Sequence, residues 1–320
     1  MGILWYGGED IDFPFGEKPT TFATIYNRSG YARCGIGCVT SAWSNTFPGG
    51  GITSGWLHCQ IYPSSSFGPY LVVGLVADNG WAGYWIGKGT NTYRLYKYTA
   101  SGYVQVDEEA GTSVINANMQ SLDMCLTNYG ASGNIKVYFN GTEIIDYTAD
   151  LTISGVTEFT RVGLAGSHVG GRATLSEIIV ANEDTRNMSL VTLAPNAAGD
   201  VNSWTGAYTD IDETAWADTD LIYTDTDGNQ FMCNLSTLPT GTFTIRTVKM
   251  AVRASRTGSP TPTSLDVGVK SGGSVDVADN HALSLPWLTY ERFMDLNPIT
   301  SSAWSGAEIT ALQAVVEAEA

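Results

Sequence analysis

The sequence predicts an all-β protein built from two sandwiches, and three observations predict it. Side chains alternate with period two in its most regular stretch, short β-rich segments recur between turn formers, and charge is sparse. Of 320 residues, 43% are hydrophobic and 15% charged, with 36 glycines and 11 prolines. That balance belongs to antiparallel β proteins rather than helical ones. The length accommodates two domains, each with its own core.

The most regular stretch lies between Leu122 and Tyr147. Ile135, Val137 and Phe139 alternate with Lys136, Tyr138 and Asn140, the pattern of a half-buried strand. Asn140-Gly141 supplies the two positive-φ residues of a type I′ turn. Glu143–Tyr147 then returns as a second strand, and Leu122–Thr127 precedes them as a third, giving a β-meander.

Taken from the start, residues 1 to 30 mix Trp5, Tyr6, Phe13, Phe15 and Phe22 with Gly7-Gly8 and Pro14. This reads as an irregular or edge-strand entry segment, suited to a docking arm. Ala32–Ala42 is a candidate strand and Phe47–Gly51 a loop. Trp56–Tyr62, Tyr70–Ala77, Tyr84–Ile86, Thr92–Tyr98 and Tyr103–Val106 follow as short strands separated by turn formers, as sandwiches and jelly rolls require. Val114–Gln120 reads as a connecting turn, and Phe159–Ala165 and Thr174–Ala181 as late strands.

The segments VYFNGTEI, LDMCLT, RVGLAG and ATLSEIIVA in this order resemble the laminin-G/concanavalin-A-like jelly roll over roughly residues 20 to 182. The resemblance implies that the last strand returns to pair near the chain's start. It implies no single function, because that family holds lectins, hydrolases and inert modules.

A polar run, Asn182–Asn187, closes this half. The predicted division is 1–185, a jelly roll with an N-terminal arm, and 186–320, a smaller β-sandwich. In the second part Phe231–Leu235 reads as a short strand and Thr242–Ala254 as the longest strand of the chain. Leu265, Val267 and Val269 return antiparallel to it. Ser305–Glu308 forms a capping box, and Ile309, Leu312 and Val316 fall on one helical face, predicting a C-terminal amphipathic helix.

Three further segments, WYGGEDIDF, SEIIVANEDTRNMSLVTLAPNAAGDVNSWTGAYTDIDE and AWSGAEITALQAVVEA, resemble virion structural proteins of tailed bacteriophages and prophages. The resemblance implies a virion location after synthesis in a bacterial cytoplasm, other virion proteins as partners, and a symmetric homo-oligomer on a tail tip, fibre or capsid. It implies no reaction.

Chemistry is sparse. With 32 acidic against 16 basic residues the formal charge is −16, which repels nucleic acid and anionic membranes. No stretch approaches the roughly 18 apolar residues of a membrane span, and MGILWYGGED lacks the form of a secretory leader. The five cysteines, Cys34, Cys38, Cys59, Cys125 and Cys233, have neither disulfide-framework nor zinc spacing.

A retaining glycosidase needs two carboxylates about 5 Å apart. Glu9-Asp10-Ile11-Asp12 and Asp107-Glu108-Glu109 read instead as solvated charge runs. His58, His168 and His281 lack a nucleophile elbow, and Gly83–Lys88 lacks the spacing of a phosphate loop and reads as a hairpin. The expectation is a protein without catalysis and without a required cofactor, a glycan hydrolase being the least favoured reading.

Two binding candidates remain. Asp225, Asp227 and Asn229 place oxygens at alternate positions around Gly228, a short calcium-like loop that is equally an Asp-Gly turn. Trp81, Tyr84, Trp85, Tyr93 and Tyr96, with Tyr98, crowd one hairpin region. Read as exposed rings, they would contact other subunits or stack on a host-surface glycan.

Overall fold

The computed structural model describes residues 3–7, 15–16, 36–37, 42–44, 46–47, 50–63, 70–78, 81–89, 92–109, 120–164, 173–212, 219–257 and 262–320. Two compact units divide the chain, Gly2–Leu190 and Val191–Ala320. Both are all-β in their regular structure, and the first is an antiparallel jelly-roll-type sandwich of two sheets.

In the first unit the strands are β1 (Ile3–Gly7), β2 (Phe15–Gly16), β3 (Ile36–Gly37), β4 (Ala42–Trp43), β5 (Gly55–Pro63), β6 (Tyr70–Val76) and β7 (Gly83–Lys88). They continue as β8 (Tyr93–Thr99), β9 (Gly102–Glu108), β10 (Gln120–Thr127), β11 (Gly133–Phe139), β12 (Thr142–Ala149), β13 (Arg161–Leu164) and β14 (Ala173–Ala181). One sheet runs β1-β14-β5-β10-β11-β12, with β3 also on β14. The other runs β2-β4-β13-β6-β7-β8-β9.

The meander forms as its pattern dictates. Phe139 pairs with Thr142 across Asn140 (φ 47°) and Gly141 (φ 77°), the two left-handed residues of the turn. The late strand β14 pairs with β1 near the chain's start. Gly83–Lys88 is a strand flanked on both sides, not the turn of a hairpin.

Alternation fills the space between the sheets. Leu57, Cys59 and Ile61 of β5, Leu122, Met124 and Leu126 of β10, and Ile135 and Val137 of β11 are buried on one side. Leu75, Tyr84, Ile86, Tyr93 and Leu95 are buried on the facing sheet. Tyr93 meets Phe139 across the gap at 5.1 Å between centroids, and the Tyr84 hydroxyl donates to Leu151 O at 2.9 Å.

The second sheet is apolar on its other side as well. Gly163, Gly74, Trp85 and Tyr96 are register partners in one row across β13, β6, β7 and β8. The Trp85 indole lies back along that row over both glycines. A Cβ built on Gly74 would sit 2.8 Å from Trp85 Cδ2, and one on Gly163 would sit 2.3 Å from Cη2. Trp85 is fully buried there, with Nε1 donating to Trp81 O at 3.1 Å.

The second unit holds β15 (Pro195–Asn202), a 3₁₀ turn at Tyr208–Asp210, β16 (Gln230–Leu235), β17 (Val248–Ala254), β18 (Ser264–Ser271) and β19 (Ser274–Ala282). It closes with β20 (Leu288–Met294), α1 (Gly306–Thr310) and β21 (Gln313–Glu319). A five-stranded sheet, β15-β16-β21-β18-β19, faces the two-stranded ribbon β17-β20. Phe231, Val267 and Val316 from the sheet enclose a core with Tyr290, Met250 and Val252 from the ribbon.

Three expectations are corrected here. The capping box exists, with Glu308 N donating to Ser305 Oγ at 3.2 Å, but the helix stops at Thr310. Gln313–Glu319 becomes a central strand paired on both sides, by β16 and β18. Its alternation of Ala314, Val316 and Ala318 serves a sheet core, and backbone pairing on two edges overrides the short helical pattern.

The strand predicted at Thr242–Ala254 begins only at Val248. Its ladder with β20 begins at the Val248–Met294 pair, so the strand is seven residues long. Finally, β18 does not pair with β17. It crosses to the other sheet and lies between β21 and β19.

The glycine row under Trp85 makes a stability test. Gly163→Ala is expected to destabilise the first unit by about 1–3 kcal/mol through overpacking against the indole, read as a lower urea midpoint with unchanged slope.

Candidate functional site

Strand alternation decides where each candidate ring goes. Tyr84 and Tyr93 point into the sandwich core and are buried. Trp85 and Tyr96 point to the opposite side, yet both are covered there. Four of the five candidates therefore cannot reach a ligand from outside, which corrects the expectation of exposed rings. Burial also raises the Tyr84 hydroxyl above its ordinary value, the neighbouring Tyr147 adding to this.

The accessible surface begins where that buried layer ends. Half-buried Trp81 packs on Trp85 (5.6 Å) and stacks on Tyr98 at 5.3 Å with 27° between planes. Tyr98 stacks in turn on its register partner Tyr103 at 6.3 Å, again 27°. Tyr103 also meets the edge of Tyr96 at 5.7 Å. Tyr103 stands on β9, the outermost strand of its sheet among the described residues, and is 63% exposed. The row Trp81–Tyr98–Tyr103 thus ends in a ring with solvent beyond it.

The polar surroundings of that ring are built by the same alternation. At the β8–β9 turn Thr99 alternates away from the ring, its hydroxyl donating to Gly102 O and accepting from Ser101 N. Gln105 follows on the ring side of β9 and donates to Glu108 Oε2 at 3.1 Å. Glu108 also receives the Thr92 hydroxyl (2.6 Å) and the Arg94 guanidinium (3.1 Å). These partners, Thr92 first, hold its carboxyl below the usual range. Glu109 accepts from Tyr93 N at 3.1 Å. Two members of the run Asp107-Glu108-Glu109 are therefore structural ligands rather than free charges.

A second polar cluster lies on the outer face of the first sheet. His58 and Asp123 are register partners on β5 and β10, with His58 Nδ1 2.7 Å from Asp123 Oδ1. The Thr185 hydroxyl donates to the same oxygen at 3.1 Å, and all three residues are buried. His58 Nε2 and Asp123 Oδ2 find no partner among the described residues.

Thr185 belongs to a strap, residues 182–190, that follows β14. Next to it Arg186 lies over Trp56 (5.2 Å) and Tyr138 (4.6 Å) while gripping Asp184 with two nitrogens. Leu190 N donates to Glu177 Oε2 at 3.2 Å. Full burial closes the His58–Asp123 pair to any substrate from outside, so its role is to seat the strap.

The calcium candidates occupy a turn at Gly228 (φ 73°). Asp227 Oδ1 accepts from Ala320 N, Asp225 Oδ1 from the Thr226 hydroxyl, and the Asn229 amide donates to Ser203 O and Thr224 Oγ1. Their bonds aim apart, and no group of three or more metal-ligating side chains occurs among the described residues.

Cys59 and Cys233 are buried in the two cores. Burial pushes the Cys233 thiol up to about 12, and Cys59 higher still with help from Asp123. Cys34, Cys38, His168 and Glu9–Asp12 lie outside the described residues.

With the fold and these sites described, the class of protein is an all-β, jelly-roll-type sandwich joined to a second β unit. No protein-family model matches the chain, and neither does any curated protein. Solved structures do share parts of its outline. An endo-β-1,4-glucuronan lyase from the fungus Trichoderma reesei is 12% identical, covering 57% of this chain and 96% of its own, with a TM-score of 0.41.

The receptor binding domain of botulinum neurotoxin C/D mosaic serotype is 8% identical at TM-score 0.35, and covers 47% of this chain. A botulinum neurotoxin serotype D ligand binding domain in complex with N-acetylneuraminic acid is 9% identical at TM-score 0.33. This chain spans about two fifths of those toxin domains, 39% in each case. Values this low carry neither activity nor ligand across.

Two outcomes test the buried groups. Asp123→Ala, which strips His58 and Thr185 of their acceptor, is expected to cost at least about 3 kcal/mol. The same change should open tryptic cleavage after Arg186, while Thr185→Val costs nearer ~1 kcal/mol. Alkylation of the native protein at pH 8, followed by peptide mass spectrometry, should leave Cys59 and Cys233 unmodified until denaturant is added.

Proposed function

We propose that this chain is a non-enzymatic adhesion module on the surface of a tailed-phage virion, gripping a sugar ring on the open face of Tyr103. The observation that carries the reading is the row Trp81–Tyr98–Tyr103, ordered by packing on buried Trp85 and ending in solvent. The apolar face of a pyranose continues such a row, and the Gln105 amide on the same face of β9 is placed to meet its rim.

Non-enzymatic action is supported by the engagement of Glu108 and Glu109 with side-chain and backbone partners. The phage setting is supported by the terminal and junction segments that resemble virion proteins. Peptides of this chain in purified particles, counted per virion, test that setting; a chain left in the soluble lysate overturns it.

A second reading, contact with another protein subunit, is favoured by Val104. It alternates to the other side of β9 from Tyr103 and is itself 63% exposed.

Glycan-array binding tests the adhesive reading. Tyr103→Ala is expected to weaken retention roughly tenfold, the worth of one stacked ring, with the melting temperature unchanged because the ring is largely exposed. Retention that survives Tyr103→Ala overturns the reading, and loss of self-association in Val104→Asp supports the second one.

A further inference from the structure

The charges around Tyr103 deepen the adhesive reading, on which this inference rests. Arg94 is the cation on the ring side of β8, because Arg94, Tyr96 and Tyr98 alternate to one face. Its guanidinium pairs with Glu108 at 3.1 Å through one terminal nitrogen, and its Nε is buried beneath the surface. Lys97 alternates to the opposite face, where it acts on Asp150 rather than on the stack.

On β9 the ring-side row reads Tyr103, Gln105, Glu108, with Asp107 and Glu109 adjoining in sequence. A ligand stacked on Tyr103 thus meets the neutral amide of Gln105 along the strand, then a carboxylate already paired with Arg94. The whole chain carries −16.

We infer that the Tyr103 site takes uncharged sugars and rejects sugars that bear a carboxylate. A uronic or sialic acid seated there would bring its charge toward Glu108, and the cation that β8 presents on that face, Arg94, is already paired with it. The register sets Glu108 four β8 residues from Tyr103, roughly 13 Å. The repulsion is thus largely screened at physiological salt, where the Debye length is roughly 8 Å, and is felt at low salt. The discrimination therefore widens as salt is lowered, whereas stacking of a neutral ring is nearly insensitive to salt.

Matched pairs of immobilised glycans make the test: a neutral glucan oligosaccharide against the corresponding polyglucuronate, and a desialylated complex glycan against its sialylated form. Each is offered to the full chain at low and at physiological salt. The neutral member is expected to be retained roughly tenfold better at low salt, with the gap narrowing as salt rises.

Glu108→Gln frees Arg94 to face the ligand. It is expected to raise binding of the acidic member several-fold relative to the neutral one. Equal or stronger wild-type binding of the acidic members overturns the inference and leaves the adhesive reading standing. Failure of every glycan to bind, neutral and acidic alike, overturns the adhesive reading and this inference with it.

Discussion

The structure around the proposed site depends on one packing constraint: a tryptophan laid flat over two glycines. Gly74 and Gly163 leave a shallow trough across neighbouring strands, and the Trp85 indole fills it. An aromatic side chain of this kind buries roughly 150–250 Å², here on the face of the sheet turned away from the sandwich core. A second apolar layer forms on that side, and Trp81, Tyr96 and Tyr98 pack onto it. Tyr103 is exposed, but the rings behind it restrict its motion. Less rotamer freedom is then lost when something stacks on it.

The opposite sheet solves a different problem with polar groups. Asp123 and His58 lie buried beneath the strap and share one hydrogen bond, with Thr185 adding a second to the same carboxylate oxygen. Buried polar groups of this kind cost stability when left unpaired, and they specify a unique arrangement when paired. Residues 182–190 are thereby fixed on the sheet through Thr185, Arg186 and Leu190, so the first unit ends in an ordered path.

How much of this is legible in the sequence depends on whether the information is local. The meander is fully legible, because Asn140-Gly141 states its turn and Ile135, Val137 and Phe139 state its period. Period alone also separates Tyr84 from Trp85 and Tyr96 from Lys97. It does not say which faces are covered, and β7 is apolar on both, so Trp85 reads as readily exposed as buried. Tyr103 falls outside the five candidates for the same reason. Its exposure comes from β9 being outermost, a property of sheet order.

The C-terminal misreading has a similar origin. Ile309, Leu312 and Val316 fit a helix, yet Val315 and Val316 side by side favour a strand once β16 and β18 offer both edges. The strap is illegible because Asp123, His58 and Thr185 are joined by register between distant strands.

A site made of one open ring has consequences for affinity. One stacked sugar with a few rim hydrogen bonds gives binding in the range of about 1 mM, near −4 kcal/mol. On the adhesive role proposed above, that is too weak to hold a virion through a single copy. Copies held side by side change this, because each further contact becomes intramolecular, and avidity rises by about 10²–10⁴ without any new interaction. A rigid, shallow, charge-excluding ring on an outermost strand is poorly suited to capturing a free sugar. It suits a surface met many times over, where reversible single contacts let an array settle before it holds.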